Sequence, residues 1–223
     1  MSEQSTSLTN MNPDIEQYKS DLRARFAKEN QTAQKGQIVF VGSSTMEMFP
    51  IEKMQQNLGL DKLIYNRGIR ATTTAELLMA MDVCIFDLAP SKIFINIGSN
   101  DAGFGVPEDT FLSNYDEILR QIKEELPETQ VFVMAYYPVN PVADFGESEA
   151  EHEAFFSKRN NEILELASSK VALLAQKYHY EFINVNDGLA DTNGNLREDL
   201  TFDGGHMYPA GYEIVLRNTK KYL

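Results

Sequence analysis

The chain has 223 residues, with 33 acidic and 20 basic side chains, a net charge of −13 and 43% hydrophobic residues. This balance belongs to a soluble globular protein long enough to bury a sizeable core, and it argues against partners that present nucleic-acid phosphates or anionic membranes. A single cysteine, Cys84, excludes an internal disulfide and any zinc site built on two thiolates, and three histidines leave a metal site short of ligands.

Residues 1–12 are polar and read as a frayed tail, with 13–223 read as one domain. The start has neither a basic n-region nor an apolar h-region, and the longest apolar runs fall far short of the roughly 18–20 residues that span a bilayer. The expectation is a cytoplasmic protein with no membrane insertion. Ile15, Tyr18, Leu22 and Phe26 recur at helical spacing and predict a helix laid against the body. Short apolar runs follow at Ile38 to Val41, Leu63 to Tyr65, Ile93 to Ile97, Val131 to Tyr136 and Phe182 to Val185. Each is rich in branched or aromatic residues and ends near Gly, Pro, Asn or Asp, as buried parallel strands do. Between them lie a segment from Ala75 to Phe86 and a stripe of Phe111, Tyr115, Ile118, Leu119, Ile122 and Leu126, stopped by Pro127. A second long stripe runs through Phe156, Ile163, Leu166, Leu173 and Leu174, and Ala210 to Tyr222 closes the chain. The alternation predicts an α/β fold, a three-layer α/β/α sandwich around a five-stranded parallel sheet.

In such folds ligands sit at the carboxyl ends of the strands. The segments that fall there are Gly42-Ser43-Ser44-Thr45, Asn66-Arg67-Gly68 and Gly98-Ser99-Asn100-Asp101, joined by Asp203-Gly204-Gly205-His206 ahead of the last helix. Acyl transfer needs a nucleophile, a base, an orienter for the base and donors for a developing oxyanion. Ser44 in a strand-to-helix turn suits the first role. His206 with Asp203 three residues before it suits the second and third. The amides of Ser44 and Gly68 and the side chain of Asn100 suit the last, glycine because no side chain shields its N–H. Each piece also has a plain reading: a turn, a loop-capping histidine, a turn glycine, a helix N-cap. What carries weight is their convergence on one edge of the sheet.

These blocks resemble the SGNH, or GDSL-type, hydrolases over most of residues 38–216. Ile38 to Thr45 resembles the family's nucleophile block. Asn66-Arg67-Gly68-Ile69 with Thr72-Thr73-Thr74 resembles the block of the oxyanion glycine, and Gly98-Ser99-Asn100-Asp101 that of the oxyanion asparagine. Leu200 to His206 with Gly211-Tyr212 resembles the block of the orienter and base. The style is similar to the platelet-activating-factor acetylhydrolase-like branch of esterases. The resemblance implies a flavodoxin-like sheet and a serine esterase with a Ser44–His206–Asp203 triad, acting on small-molecule esters of short acyl or acetyl groups. It implies no cofactor and no metal, and it leaves a homo-oligomer open. Where the family reads Gly-Asp-Ser, this chain reads Gly42-Ser43-Ser44, which makes Ser43 the second candidate nucleophile. Arg70 is the candidate for an anionic part of the substrate, and Met46, Met48 and Met54 for soft lining at a pocket mouth. Val139, Val142 and Phe145, in the long loop after the fourth strand, are candidate acyl-pocket walls. The rival readings are a catalytically silent relative used for binding and a flavodoxin-like module that binds a phosphate or flavin.

Overall fold

The computed structural model describes residues 13–223, so the tail read over 1–12 lies outside the described residues. The apolar runs form β1 (Ile38–Gly42), β2 (Ile64–Gly68), β3 (Lys92–Asn96), β4 (Gln130–Met134) and β5 (Glu181–Ile183). All pair in parallel, in the order β2-β1-β3-β4-β5. The helices are α1 (Pro13–Asn30), α2 (Ser44–Glu47), α3 (Ile51–Met54), α4 (Thr74–Leu78), α5 (Met81–Cys84), α6 (Ser99–Gly103), α7 (Glu108–Glu125), α8 (Glu149–Phe156), α9 (Asn161–Lys177) and α10 (Pro209–Thr219). None among the described residues is long and apolar enough to cross a membrane.

The strands carry unbroken apolar runs because both faces of the sheet are covered. Val39, Val41, Ile93, Ile95, Val131 and Val133 point into a core closed by α1, α4, α5, α7 and α9. Their strand neighbours Ile38, Phe40, Phe94, Phe132 and Met134 point into a second core closed by α2, α3 and α10. The alternation is the two-residue period of a pleated strand. In the second core the Phe40, Phe94 and Phe132 rings stack across three strands, with centroids 4.6 and 4.7 Å apart. These two cores and the sheet between them are the expected three layers.

Several helical expectations change. The stretch Ala75–Phe86 is two short helices, α4 and α5, separated at Met79–Ala80. The stripe read from Phe156 to Leu174 is also two helices, because Asn160 caps a new start by accepting from the Ile163 N–H at 3.0 Å. In α9 the inward residues are Leu164, Ser168, Val171 and Ala175, while Leu166 and Leu173 face solvent. Leucines occur on every side of this helix, so apolar spacing alone selects the wrong face. In α1, Leu22 and Phe26 are buried as expected, but Tyr18 is exposed and the buried inward residue is Lys19, whose Nζ pairs with Glu76 at 2.6 Å.

The chain runs from β1 outward to β2, then returns past β1 to β3. Its direction across the sheet reverses between β1 and β3, whose last residues, Gly42 and Asn96, are register partners. The connections leaving these strands diverge, and a crevice opens at their carboxyl ends.

Candidate active site

Ser43 leaves β1 in extended conformation, and α2 begins at Ser44. Ser43 is buried, and its hydroxyl has no hydrogen-bond partner among the described residues. Ser44 turns the other way: its Oγ lies 2.8 Å from His206 Nε2. The Ser44 N–H sits in the first turn of α2, where the helix itself offers no acceptor.

Asp203 does two jobs with two oxygens. Its Oδ1 accepts from the Gly205 and His206 N–H groups at 2.9 and 2.7 Å, which folds the four-residue turn. Its Oδ2 lies 2.6 Å from His206 Nδ1. A carboxylate there selects the tautomer with the proton on Nδ1, so Nε2 is an acceptor and the Ser44 hydroxyl donates to it. Burial pushes the Asp203 carboxyl up, but the hydrogen bonds and charge of His206 and the two backbone donors outweigh it, and its pKa is lowered. Asp203 is therefore ionised across the neutral range. The turn is braced from outside: the Asn140 N–H donates to Gly204 O at 2.7 Å, and Thr201 Oγ1 donates to His206 O at 2.6 Å.

On the opposite wall, Asn100 in α6 is held at both ends of its amide. Oδ1 accepts from Arg159 Nη2 at 3.1 Å and Nδ2 donates to Thr72 O at 3.0 Å. An amide nitrogen has two hydrogens, so the second remains for a ligand in the cavity that Asn100 lines.

Gly68 does not fit the role expected of it. Its N–H donates to Asn66 Oδ1 at 2.9 Å, and it does not line the cavity. It is a glycine because α2 passes over it: a Cβ would fall 2.2 Å from Glu47 N. Asn66 completes that joint, its Nδ2 donating to the Met46 and Phe49 carbonyls at 2.7 and 2.9 Å. The backbone donor on this wall is three residues further on. Ala71 lines the cavity with a left-handed φ of 54°, and its N–H has no acceptor among the described residues. The preceding residue is pinned to α2: the Arg70 N–H and Nε donate to the Glu47 carboxylate at 2.5 and 2.8 Å. The Arg70 guanidinium also lies over the Tyr18 ring, 4.6 Å from its centroid. Arg70 lines the cavity mouth as expected, but with its charge met by Glu47.

The cavity between these walls has a volume of about 450 Å³, in the range of small-molecule sites. Val139 and Met48 line it as expected, beside Tyr137 and Leu164. Val142 does not, since it is 76% exposed, and Phe145 instead packs toward Gly204 outside the cavity. Met46, within α2, is core and fully buried. Sequence reasoning missed Ala71, Phe104, Phe155 and Arg159, all lining residues. Arg159 had one available signal, its place before the Asn160 cap. Among the described residues no cluster of His, Cys, Asp and Glu has the makings of a metal site.

Residues 51–214 match the model of the GDSL-like lipase/acylhydrolase family, a match that begins just after the Ser44 turn. A platelet activating factor protein structure from Streptococcus pneumonia is 28% identical, with TM-score 0.83, covering 100% of this chain and 99% of that one. An acylhydrolase structure from Bacteroides fragilis is 18% identical, with TM-score 0.72 and coverage of 89% and 94%. A catalytic mutant of an acetylxylan esterase from Geobacillus stearothermophilus is 15% identical, with TM-score 0.63 and coverage of 85% and 94%. The last two likenesses are likenesses of fold. No curated protein matches the chain.

Proposed function

Since the chain belongs to the GDSL-like lipase/acylhydrolase family, whose activity is ester hydrolysis, we propose that it is a serine esterase that cleaves small carboxylic esters through an acyl-enzyme on Ser44. The observation that carries this reading is the unbroken chain of contacts from Ser44 Oγ to His206 Nε2 and from His206 Nδ1 to Asp203.

Ser44 Oγ attacks the ester carbonyl carbon as Nε2 takes the hydroxyl proton. The C–O π electrons move onto the carbonyl oxygen, and the imidazolium formed is stabilised by the ionised Asp203. The oxyanion meets donors from two walls, the Ser44 and Ala71 amides and Asn100 Nδ2. Collapse expels the alkoxide, which leaves as the alcohol with the proton from Nε2. Water then repeats the sequence on the acyl-enzyme, losing its proton to the same nitrogen, and the carboxylic acid is released. No cofactor enters any step. The limited, mostly apolar cavity supports short acyl groups, acetyl among them.

The experiment is Ser44→Ala, assayed on aryl esters of increasing chain length, beside labelling of the wild-type protein with a fluorophosphonate. Hydrolysis should vanish with the melting temperature kept, and the label should sit on Ser44 alone. Activity retained in Ser44→Ala, or a label on Ser43, overturns the reading. A binding-only relative predicts no turnover by the wild-type protein at all.

A further inference from the structure

Arg159 sits in the break between α8 and α9, and only 9% of its surface is exposed. Room for it is built in. Gly103 has no side chain where a Cβ would fall 2.1 Å from Nη2, and the Phe155 ring lies under the guanidinium, 4.5 Å from its centroid. Its Nε donates to Ser99 O at 3.3 Å and its Nη2 to Asn100 Oδ1 at 3.1 Å. Both acceptors are neutral. Guanidinium has five N–H donors, and the rest, including both on Nη1, meet no acceptor among the described residues. No carboxylate among those residues forms an ion pair with it.

A buried cation without a counter-ion is costly, and proteins keep one where an anion completes it. The side chain lines the same cavity as Ser44, and the other cavity arginine, Arg70, already has Glu47. Burial lowers Arg159 to about 10, with the charge of Asp203 pulling the other way, so it remains protonated at neutral pH. With a net charge of −13 the molecule as a whole repels anions, which makes a local cation in the cavity the feature that admits one.

We propose that the preferred substrates carry a carboxylate a few bonds from the scissile ester, held by the free N–H groups of Arg159. This deepens the esterase reading and rests on it. A carboxylate on the acyl side makes the substrate a half-ester of a dicarboxylic acid. On the alcohol side it makes the substrate an acyl ester of a hydroxy acid. Arg159 is thus a specificity residue that also positions Asn100.

The test compares monoethyl succinate with ethyl butyrate for the acyl side, and O-acetyl glycolate with ethyl acetate for the alcohol side. In the wild-type protein kcat/KM should favour the carboxylate ester of at least one pair by about ten- to a hundredfold, the worth of a hydrogen-bonded charge. The favoured pair identifies the side. In Arg159→Gln that ratio should fall to about one while turnover of the neutral ester falls less, and Arg159→Lys should restore part of the ratio. A wild-type ratio of one or below for both pairs overturns the proposal. So does a ratio that survives Arg159→Gln, which would leave Arg159 a support for Asn100 alone. Calorimetric binding of free succinate against butyrate to the wild-type protein gives a readout independent of turnover and of how the Arg159 variants fold. Succinate should bind at least tenfold more tightly, and equal affinities count against the site. If no ester is hydrolysed but succinate binds selectively, the esterase reading fails and the anion site stands.

Discussion

Asn100 shows how much chemistry one amide carries. Its oxygen is spent on Arg159 and half of its nitrogen on Thr72, so the amide cannot flip without breaking both bonds. If the remaining N–H meets the oxyanion, Asn100→Ala should lower kcat by about a hundred- to a thousandfold. The same change strands two buried partners, costing about 1–3 kcal/mol of stability. Asn100→Asp separates the two effects. A carboxylate there gains an ion pair with Arg159 that offsets the lost donor to Thr72 O, so the melting temperature should fall less than in Asn100→Ala while kcat collapses for want of a donor. Steady-state kinetics with a thermal melt for each variant decides it, and a normal kcat in either would remove Asn100 from the chemistry. At this scale the sequence offered Ser44, Asp203, His206 and Asn100 as candidates because the spacing of each follows from a strand end or a tight turn, and the structure gathers all four around one cavity. On the second loop it offered Gly68, whose N–H the structure shows already taken. Gly68 has the residue type that frees an N–H, yet a neighbour two positions away consumes it, and the available donor belongs to an alanine whose backbone angle no sequence pattern reveals.

Among the elements, α2 is the one on which most depends. It is a single turn, too short to hold itself, and is held instead by Asn66 beneath, by Met46 in the core, and by Glu47 gripping the Arg70 loop. Gly68→Ala should show this. A methyl driven against the Glu47 backbone must shift α2 or β2, costing about 1–3 kcal/mol or more. Because Ser44 rides on α2, kcat should fall in the fraction that remains folded. Denaturant titration and active-site labelling on the same sample measure both, and an unchanged midpoint would mean that α2 yields freely. The strands were legible because continuous apolar runs between turn residues have few other readings in a chain this polar. The helix breaks were not. At Met79–Ala80 no Gly or Pro marks the break, and at 157–160 the mark is a capping asparagine inside an apolar stripe; it is the second break that delivers Arg159 to the cavity.

For the molecule as a whole, Asp101 ties stability to pH. It is buried, and it accepts from the Thr74 N–H at 3.0 Å and the Thr74 hydroxyl at 2.5 Å, joining α6 to the start of α4. Burial raises its pKa to about 6, with the Thr74 bonds opposing. An unfolded aspartate titrates near 3.9, so the native state binds this proton more tightly than the unfolded state does. The contribution is fully present below about pH 4 and is lost as pH rises through about 6. It amounts to at most ~3 kcal/mol. Urea denaturation of wild type and Asp101→Asn should give stabilities that diverge in the variant's favour across that window, and parallel curves would contradict it. The contact between Ser44 and His206 spans 162 residues of chain. At roughly 5–20 residues per second of synthesis, Ser44 is added to the chain about 8–30 s before His206 is. Throughout that interval the emerging polypeptide holds an ordinary, unreactive hydroxyl. The contact between Ser44 and His206, and any chemistry that rests on it, thus begins only when the sheet between them has been made.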